Sequence, residues 1–166
     1  MKQIGVLSDT HGYLNPALFK FFENCDEIWH AGDWGSIEIV NKLKDFKPLK
    51  GVYGNIDGHE IRTEFPEVLK FRVEDLKVCI LHIGGYPGSY SPAFKTILTQ
   101  NKPDLMICGH SHILKVIRDQ KNNLMHFNPG AAGNDGFHKV STAIRFKIEG
   151  NKMSALEVWE QKRNIC

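Results

Sequence analysis

Short apolar runs alternate with helical segments in the first third of the chain, and this alternation constrains the fold more than any other feature. Runs rich in β-forming residues cover 3–7, 27–31 and 49–53, whereas 14–22 and 37–43 carry apolar side chains at helical spacing. Neighbouring parallel strands need a crossover connection, usually a helix, and this order of elements supplies one each time. The pattern therefore predicts an α/β fold.

The second half of the chain is richer in strands. Residues 68–73 and 76–82 are predicted to form a hairpin around Glu74 and Asp75, and 92–98 is predicted to be a helix. Further strands are predicted at 104–108, 114–118, 124–127, 140–148 and 153–159. We therefore expect two packed sheets with helices outside them, rather than one doubly wound sheet. No repeat or linker is visible, so residues 1–166 are expected to form a single domain.

Composition excludes several classes of protein. Hydrophobic residues make up 42% of the chain and charged residues 24%, close to the average for globular domains. The formal net charge of +2 gives no sign of a dedicated nucleic-acid binder, because such proteins concentrate positive charge. No apolar run approaches the roughly 20 residues that cross a bilayer, and the first residues lack the features of a signal peptide. We expect a cytoplasmic protein without a membrane partner.

Residues able to bind metal ions follow the predicted strands. Each lies at the carboxyl end of an apolar run, where open α/β sheets place their ligands. Glycines beside several of them allow the sharp turns that such a position needs. The set contains two carboxylates, one amide and four imidazoles: Asp9, His11, Asp33, Asn55, His82, His110 and His112.

Seven such ligands are too many for one tetrahedral zinc site with an open position. They suit two divalent ions close together, and the mixture of imidazole and carboxylate favours manganese, iron, zinc, nickel or cobalt over calcium or magnesium. Paired ions of this kind catalyse the hydrolysis of phosphate esters. The sequence therefore predicts a metal-dependent phosphoesterase.

The motifs resemble those of the calcineurin-like metallophosphoesterase superfamily, and in particular its small YfcE-type phosphodiesterases. The similarity runs from residue 5 to about residue 130 and comprises D-x-H, G-D, G-N-x-D, a lone His and G-H-x-H, in that order. It implies a four-layer αββα sandwich of two mixed β-sheets. It also implies two divalent ions, Mn²⁺ above the others. The implied ligands are Asp9, His11 and His112 for one ion, Asn55, His82 and His110 for the other, and Asp33 between them.

Two positions depart from the family pattern, Ile56 and Ile83. Many members carry a histidine directly after the Asn ligand as a proton donor, but here that position is Ile56. His59 is a candidate substitute, and a solvent-exposed loop position is an equally good interpretation of it. Ile83 stands where the family usually has Gly, which makes His82 the weakest of the implied ligands. His30 matches the family's H-x-G-D motif and is expected to orient a ligand.

The function expected from these features is hydrolysis of a small phosphodiester by a metal-bridging hydroxide. A phosphomonoesterase is the alternative within the same class. A protein-interaction scaffold is the alternative from another class, because relatives of this fold include coat-complex members with little or no catalysis. The resemblance also suggests a homodimer or larger homo-oligomer. His126 and His138 belong to no motif, and structural roles are expected for both.

Overall fold

Two five-stranded sheets face each other in the computed structural model, which describes residues 1–163. The strands are β1 (Lys2–Leu7), β2 (Glu27–His30), β3 (Leu49–Gly51), β4 (Val68–Val73), β5 (Leu76–Leu81), β6 (Gly85–Tyr86), β7 (Ser89–Tyr90), β8 (Leu105–Ile107), β9 (Leu114–Asp119), β10 (Leu124–Pro129), β11 (Val140–Glu149) and β12 (Lys152–Lys162). The helices are α1 (Ala17–Phe21), α2 (Ile37–Phe46), α3 (His59–Glu64) and α4 (Pro92–Asn101).

Both sheets are mixed. The first has the order β12-β11-β1-β2-β3, in which β1, β2 and β3 are parallel and β11 is antiparallel to β1. The second has the order β4-β5-β8-β10-β9, with β5, β8 and β10 parallel and the two edge strands antiparallel. Strands β6 and β7 form a separate small hairpin. The α/β class with two mixed sheets flanked by helices is confirmed.

Three apolar clusters hold the layers together. Side chains from both sheets, among them Ile4, Ile80 and Ile107, form the cluster between the sheets. The outer face of the first sheet packs on α1 and α2, and the outer face of the second packs on α4 through residues such as Phe94. Burial of apolar area at these three interfaces, at about 25 cal/mol per Å², is the main stabilising contribution. The layer order is helix, sheet, sheet, helix.

Strand β1 shows how the sequence produces this layering. Its side chains alternate, so that Ile4 and Val6 enter the cluster between the sheets while Leu7 faces the helices. Gly5 also faces the helices, and a Cβ there would lie 2.5 Å from Cδ1 of Phe22. The missing side chain therefore lets the end of α1 pack directly on the strand.

Local differences from the sequence prediction occur in short elements. Helix α3 was not predicted, because it has six residues and no side-chain cap at Gly58. Strand β3 ends at Gly51 rather than residue 53, since the Tyr53 N–H donates to the carbonyl of Pro66 instead of joining β2. Strand β12 continues past residue 159 to Lys162 along β11. Among residues 1–163, no helix is long and apolar enough to span a membrane.

Candidate metal centre

Six of the seven predicted ligands converge at the carboxyl ends of β1, β2, β5 and β8. They form two groups, each with one potential ligand atom per residue and all atoms of a group within 4.8 Å of one another. The first group is Asp9, His11 and His112, and the second is Asp33, His82 and His110. The chain positions of these residues span more than 100 residues, and only the parallel strand order brings them together.

Asp33 lies between the two groups. Its Oδ2 atom is 3.1 Å from Nε2 of His82 and 3.5 Å from Nε2 of His11, while Oδ1 accepts the N–H of Ile56. The groups also approach each other across Asp9, whose Oδ1 is 3.9 Å from Nε2 of His82. The placement of Asp33 suits the bridging role that the resemblance implies.

Asn55, the seventh predicted ligand, joins the second group through His110. Its Oδ1 atom is 3.1 Å from Nδ1 of His110, and its side chain is exposed. The carbonyl oxygen of an amide is an ordinary ligand for a hard divalent cation. All seven predicted positions therefore surround one small volume.

Within residues 1–163, three atoms in this volume are buried without a hydrogen-bond partner, namely Asp9 Oδ1, His11 Nε2 and His82 Nε2. Nδ1 of His82 lies 2.8 Å from the carbonyl oxygen of Ala31 and must donate to it, so Nε2 keeps its lone pair. That lone pair faces the Asp33 carboxylate, an arrangement that needs a cation or a proton between them. Lone pairs that are buried without a partner in this way are suited to binding divalent metal ions.

His112 is oriented in the same way by a residue that no motif indicated. The Nε2 atom of His138 donates to the Gly133 carbonyl at 2.9 Å, so its Nδ1 accepts from Nδ1 of His112 at 3.2 Å. Nε2 of His112 therefore carries a lone pair, and it lies 3.1 Å from Asp9 Oδ1. The expectation of a purely structural role for His138 is not supported, because this side chain contacts a predicted ligand.

Protonation in the absence of a cation follows from these contacts. Burial raises the pKa of Asp9, but the neighbouring imidazoles of His11, His112 and His82 and the hydrogen bond from Ser8 outweigh it and hold the pKa well below the usual range. The pKa of Asp33 is also lowered, since His82 outweighs the effect of burial. The pKa of His11 is raised, chiefly by Asp9, and that of His82 is raised because Asp33 and Asp9 outweigh burial. The cluster therefore favours bound positive charge.

The backbone at this edge is strained. Five of the predicted ligands have a positive φ, between 47° and 71°, which non-glycine residues rarely adopt: Asp9, His11, Asp33, His110 and His112. Strain of about 1–3 kcal/mol per residue persists where the surrounding structure enforces it, typically at functional sites. Gly32, with φ of 99°, passes so close to His82 that a Cβ would lie 2.8 Å from its Nδ1 atom.

A buried carboxylate fixes the loops that carry Asp33 and Asn55. Asp57 accepts the N–H groups of Asp33, Trp34 and Gly54 at Oδ2, and that of Gly35 at Oδ1, over 2.8–3.2 Å. Backbone amides pointing at one carboxylate hold both loops in a single conformation. The final Asp of the G-N-x-D pattern was the only sequence signal for this role.

His30 lies next to the cluster without entering it. The Gly32 N–H donates to its Nδ1, so its Nε2 donates to the Thr10 hydroxyl at 3.0 Å, which in turn donates to the Trp34 carbonyl. The ring also stacks on Trp34 at 3.7 Å. Burial lowers the pKa of His30 to about 3 and keeps it neutral, as this network requires. It thus connects the loops after β1 and β2.

His59 is not brought into the cluster. It is the first residue of α3 and is exposed, and within residues 1–163 its side chain makes no hydrogen bond or ion pair with a predicted ligand. Ile56, at the position of the family's usual proton donor, is 47% exposed beside the site.

Comparison with known proteins identifies the family. The sequence profile of the calcineurin-like phosphoesterase superfamily domain matches residues 1–151. The chain belongs to this superfamily. A probable metallophosphoesterase of Methanothermobacter thermautotrophicus is 30% identical over 98% of this chain and 95% of its own. Divalent metal ions are the cofactors that membership implies.

Solved structures share the fold at lower identity. Vps29 of Entamoeba histolytica, crystallised with Zn²⁺, superposes with a TM-score of 0.76 at 15% identity and covers 96% of this chain and 98% of its own. An archaeal phosphodiesterase superposes with a TM-score of 0.67 at 21% identity, over 95% of this chain and 99% of its own. A Vps29 protein and a phosphodiesterase thus share this fold, so the fold alone does not assign an activity.

Proposed function

We propose that this superfamily member is a binuclear metal-dependent phosphodiesterase. The observation that carries the proposal is the pair of adjoining groups, each offering three ligand atoms, with the Asp33 carboxylate between them. The buried atoms without partners support it, because two cations would satisfy all of them. Asp9, His11 and His112 would hold one ion, and His82, His110 and Asn55 the other, with Asp33 shared.

Two divalent ions in such a site neutralise charge on the phosphoryl oxygens and lower the pKa of water. The chain supplies the rest. Asp9, His11, Asp33 and His82 are largely buried, so their charges and lone pairs are little screened. His110 and Asn55 are exposed at the mouth and are placed to meet the phosphoryl group. His138, Asp57 and His30 hold the ligands in position.

The proton for the leaving group cannot come from the position that usually supplies it in the family, because that position is Ile56. Ile56 cannot donate one, which favours esters with good leaving groups. His59 remains a prediction as a donor, and its removal should slow alkyl esters more than nitrophenyl esters if it serves. Equal rates for wild type and His59→Ala on both kinds of ester would remove it from the reaction.

The test begins with chelator-treated protein to which Mn²⁺, Ni²⁺, Zn²⁺ or Co²⁺ is returned. Calorimetry should report two ions per chain, and bis-p-nitrophenyl phosphate should be hydrolysed only after the ions are added. Asp33→Asn should bind fewer than two ions tightly and lose at least about 100-fold in kcat/KM. Asp45→Asn, an exposed carboxylate on α2, is the matched control and should behave as wild type.

Two other functions remain as outcomes of this experiment. Faster hydrolysis of p-nitrophenyl phosphate than of the diester would make the protein a phosphomonoesterase. A folded protein that binds no ions and hydrolyses neither substrate would favour the interaction scaffold. The retention of ligand-type residues at all seven positions favours the enzyme.

A further inference from the structure

A groove opens directly beside the metal centre on the side of His110. Its volume is about 450 Å³, within the roughly 300–1,000 Å³ typical of small-molecule sites. The walls of this groove, the His110 groove, include Ile83, Tyr86, His110, Ser111, Ile113 and Lys115. His110 belongs to both the groove and the second ligand group, so the groove adjoins the place where a molecule held at the ions would lie.

The walls of the groove are apolar and accessible. Ile83, Tyr86 and Ile113 are 47%, 50% and 62% exposed, although the chain buries most of its other large apolar side chains. Three such residues around one concave surface mark a binding site more often than isolated exposed residues do. Tyr86 belongs to the β6–β7 hairpin, so its ring is carried by a different element from Ile83 and Ile113.

One cation faces this apolar surface. The Lys115 ammonium lies 4.5 Å from the centroid of the Tyr86 ring, and within residues 1–163 no ion pair joins it to a carboxylate. It is therefore free to meet an anion of a ligand. Ser111 adds a hydrogen-bond donor, because its Oγ accepts the Ile113 N–H and the side-chain amide of Asn128, and within residues 1–163 its hydroxyl donates to no acceptor.

We propose that the His110 groove is the subsite for the organic group of the substrate, and that it selects an aromatic or heteroaromatic ring bearing an anionic substituent. This rests on the proposed phosphodiesterase function. The ring packs against Tyr86, Ile83 and Ile113, and the substituent meets Lys115, whose ammonium lies beside the Tyr86 ring. Bare alkyl esters leave the apolar walls in water and gain nothing from the cation.

Binding of phosphonates, which are not hydrolysed, tests the proposal separately from turnover. Mn²⁺-loaded protein is titrated by calorimetry with methylphosphonate, phenylphosphonate and 4-carboxyphenylphosphonate. Wild type should bind phenylphosphonate about tenfold more tightly than methylphosphonate, because the ring fills the apolar part of the groove. The carboxylated ligand should gain about threefold more, the scale of a single exposed ion pair.

Variants assign each gain to a side chain. Tyr86→Ala should remove most of the preference for a ring, and Lys115→Gln should remove only the gain from the carboxylate. Ile117→Ala, on β9 and 42% exposed but outside the groove, is the matched control and should change nothing. The affinity for methylphosphonate should be the same in all four proteins.

The outcomes separate the two proposals. Equal affinity for the three phosphonates, or equal losses for all three in Tyr86→Ala and Lys115→Gln, would overturn the groove proposal alone. Binding of none of them by protein that holds two ions and hydrolyses bis-p-nitrophenyl phosphate would also overturn the groove proposal alone, whereas no hydrolysis of that diester by the ion-loaded protein would refute the phosphodiesterase proposal.

Discussion

Asp57 offers the sharpest test of how the site is held together. Asp57→Ala leaves four backbone N–H groups without their acceptor, and three of these bonds are fully buried. An unsatisfied buried donor costs about 1–3 kcal/mol. Because water can enter the space left by the carboxylate, we take the lower end of this range for each donor. The expected loss in the free energy of unfolding is about 4 kcal/mol.

Chemical denaturation in the presence of a chelator measures this loss without the contribution of bound ions. For a chain of this length the same change lowers Tm by roughly 8–16 °C. Asp57→Asn should lose less, since its single carbonyl oxygen can still accept the three bonds made at Oδ2, while its NH₂ opposes Gly35. Asp75→Ala, in the exposed turn between β4 and β5, is the control and should stay within about 0.5 kcal/mol of wild type.

The functional consequence is measured in the same variants. Asp33 and Asn55 lie in the loops that Asp57 holds, so the loss of stability should be accompanied by weaker binding of metal ions. A loss below about 1 kcal/mol for Asp57→Ala, no larger than the scale of an ordinary neutral hydrogen bond, would refute the argument that these four bonds fix the loops.

Two further predictions concern histidines outside the ligand set. His138→Ala should weaken metal binding by about 10–100-fold in calorimetry, because the substitution frees the ring of His112. His59→Ala, at an exposed position, is the control and should bind metal ions as wild type does. Equal affinities for the two variants would contradict the tautomer assigned to His112. Burial lowers the pKa of His126 to about 4 from its ordinary 6.5. Below pH 6.5, His126 binds a proton in the unfolded chain but not in the folded chain. Its contribution to the free energy of unfolding therefore falls by about 3 kcal/mol in total between pH 6.5 and 4. Denaturation at a series of pH values should show a shallower decline for His126→Gln, and parallel curves would contradict the burial argument.

The grouping of the candidate ligands could be predicted because these residues follow strands. Residues such as Asp9 and Asp33 end apolar runs that pair in parallel, and parallel strands bring their carboxyl ends to one edge. The two-sheet fold was predicted correctly because the second half of the chain carries many more apolar runs than one doubly wound sheet could take up.

The supporting residues could not be predicted in the same way. His138 lies in a loop with no periodicity, 26 residues from the His112 ring that it contacts, and only the tertiary structure brings the two together. The same holds for the His110 groove, whose walls come from separate loops and from the β6–β7 hairpin. Helix α3 is too short for its pattern to stand out from a turn.

The last strand has a consequence for the order in which the protein matures. Arg163, just after β12, donates to the carbonyls of Asn134, Gly136 and His138, and so fastens the loop behind His112. The proposed ligands all lie within residues 9–112, whereas Arg163 and strand β11, which pairs with β1, come later in the chain. During synthesis, His112 therefore leaves the ribosome before the contacts that orient it exist. The group of Asp9, His11 and His112 would reach its final geometry only after residue 163 has joined the fold.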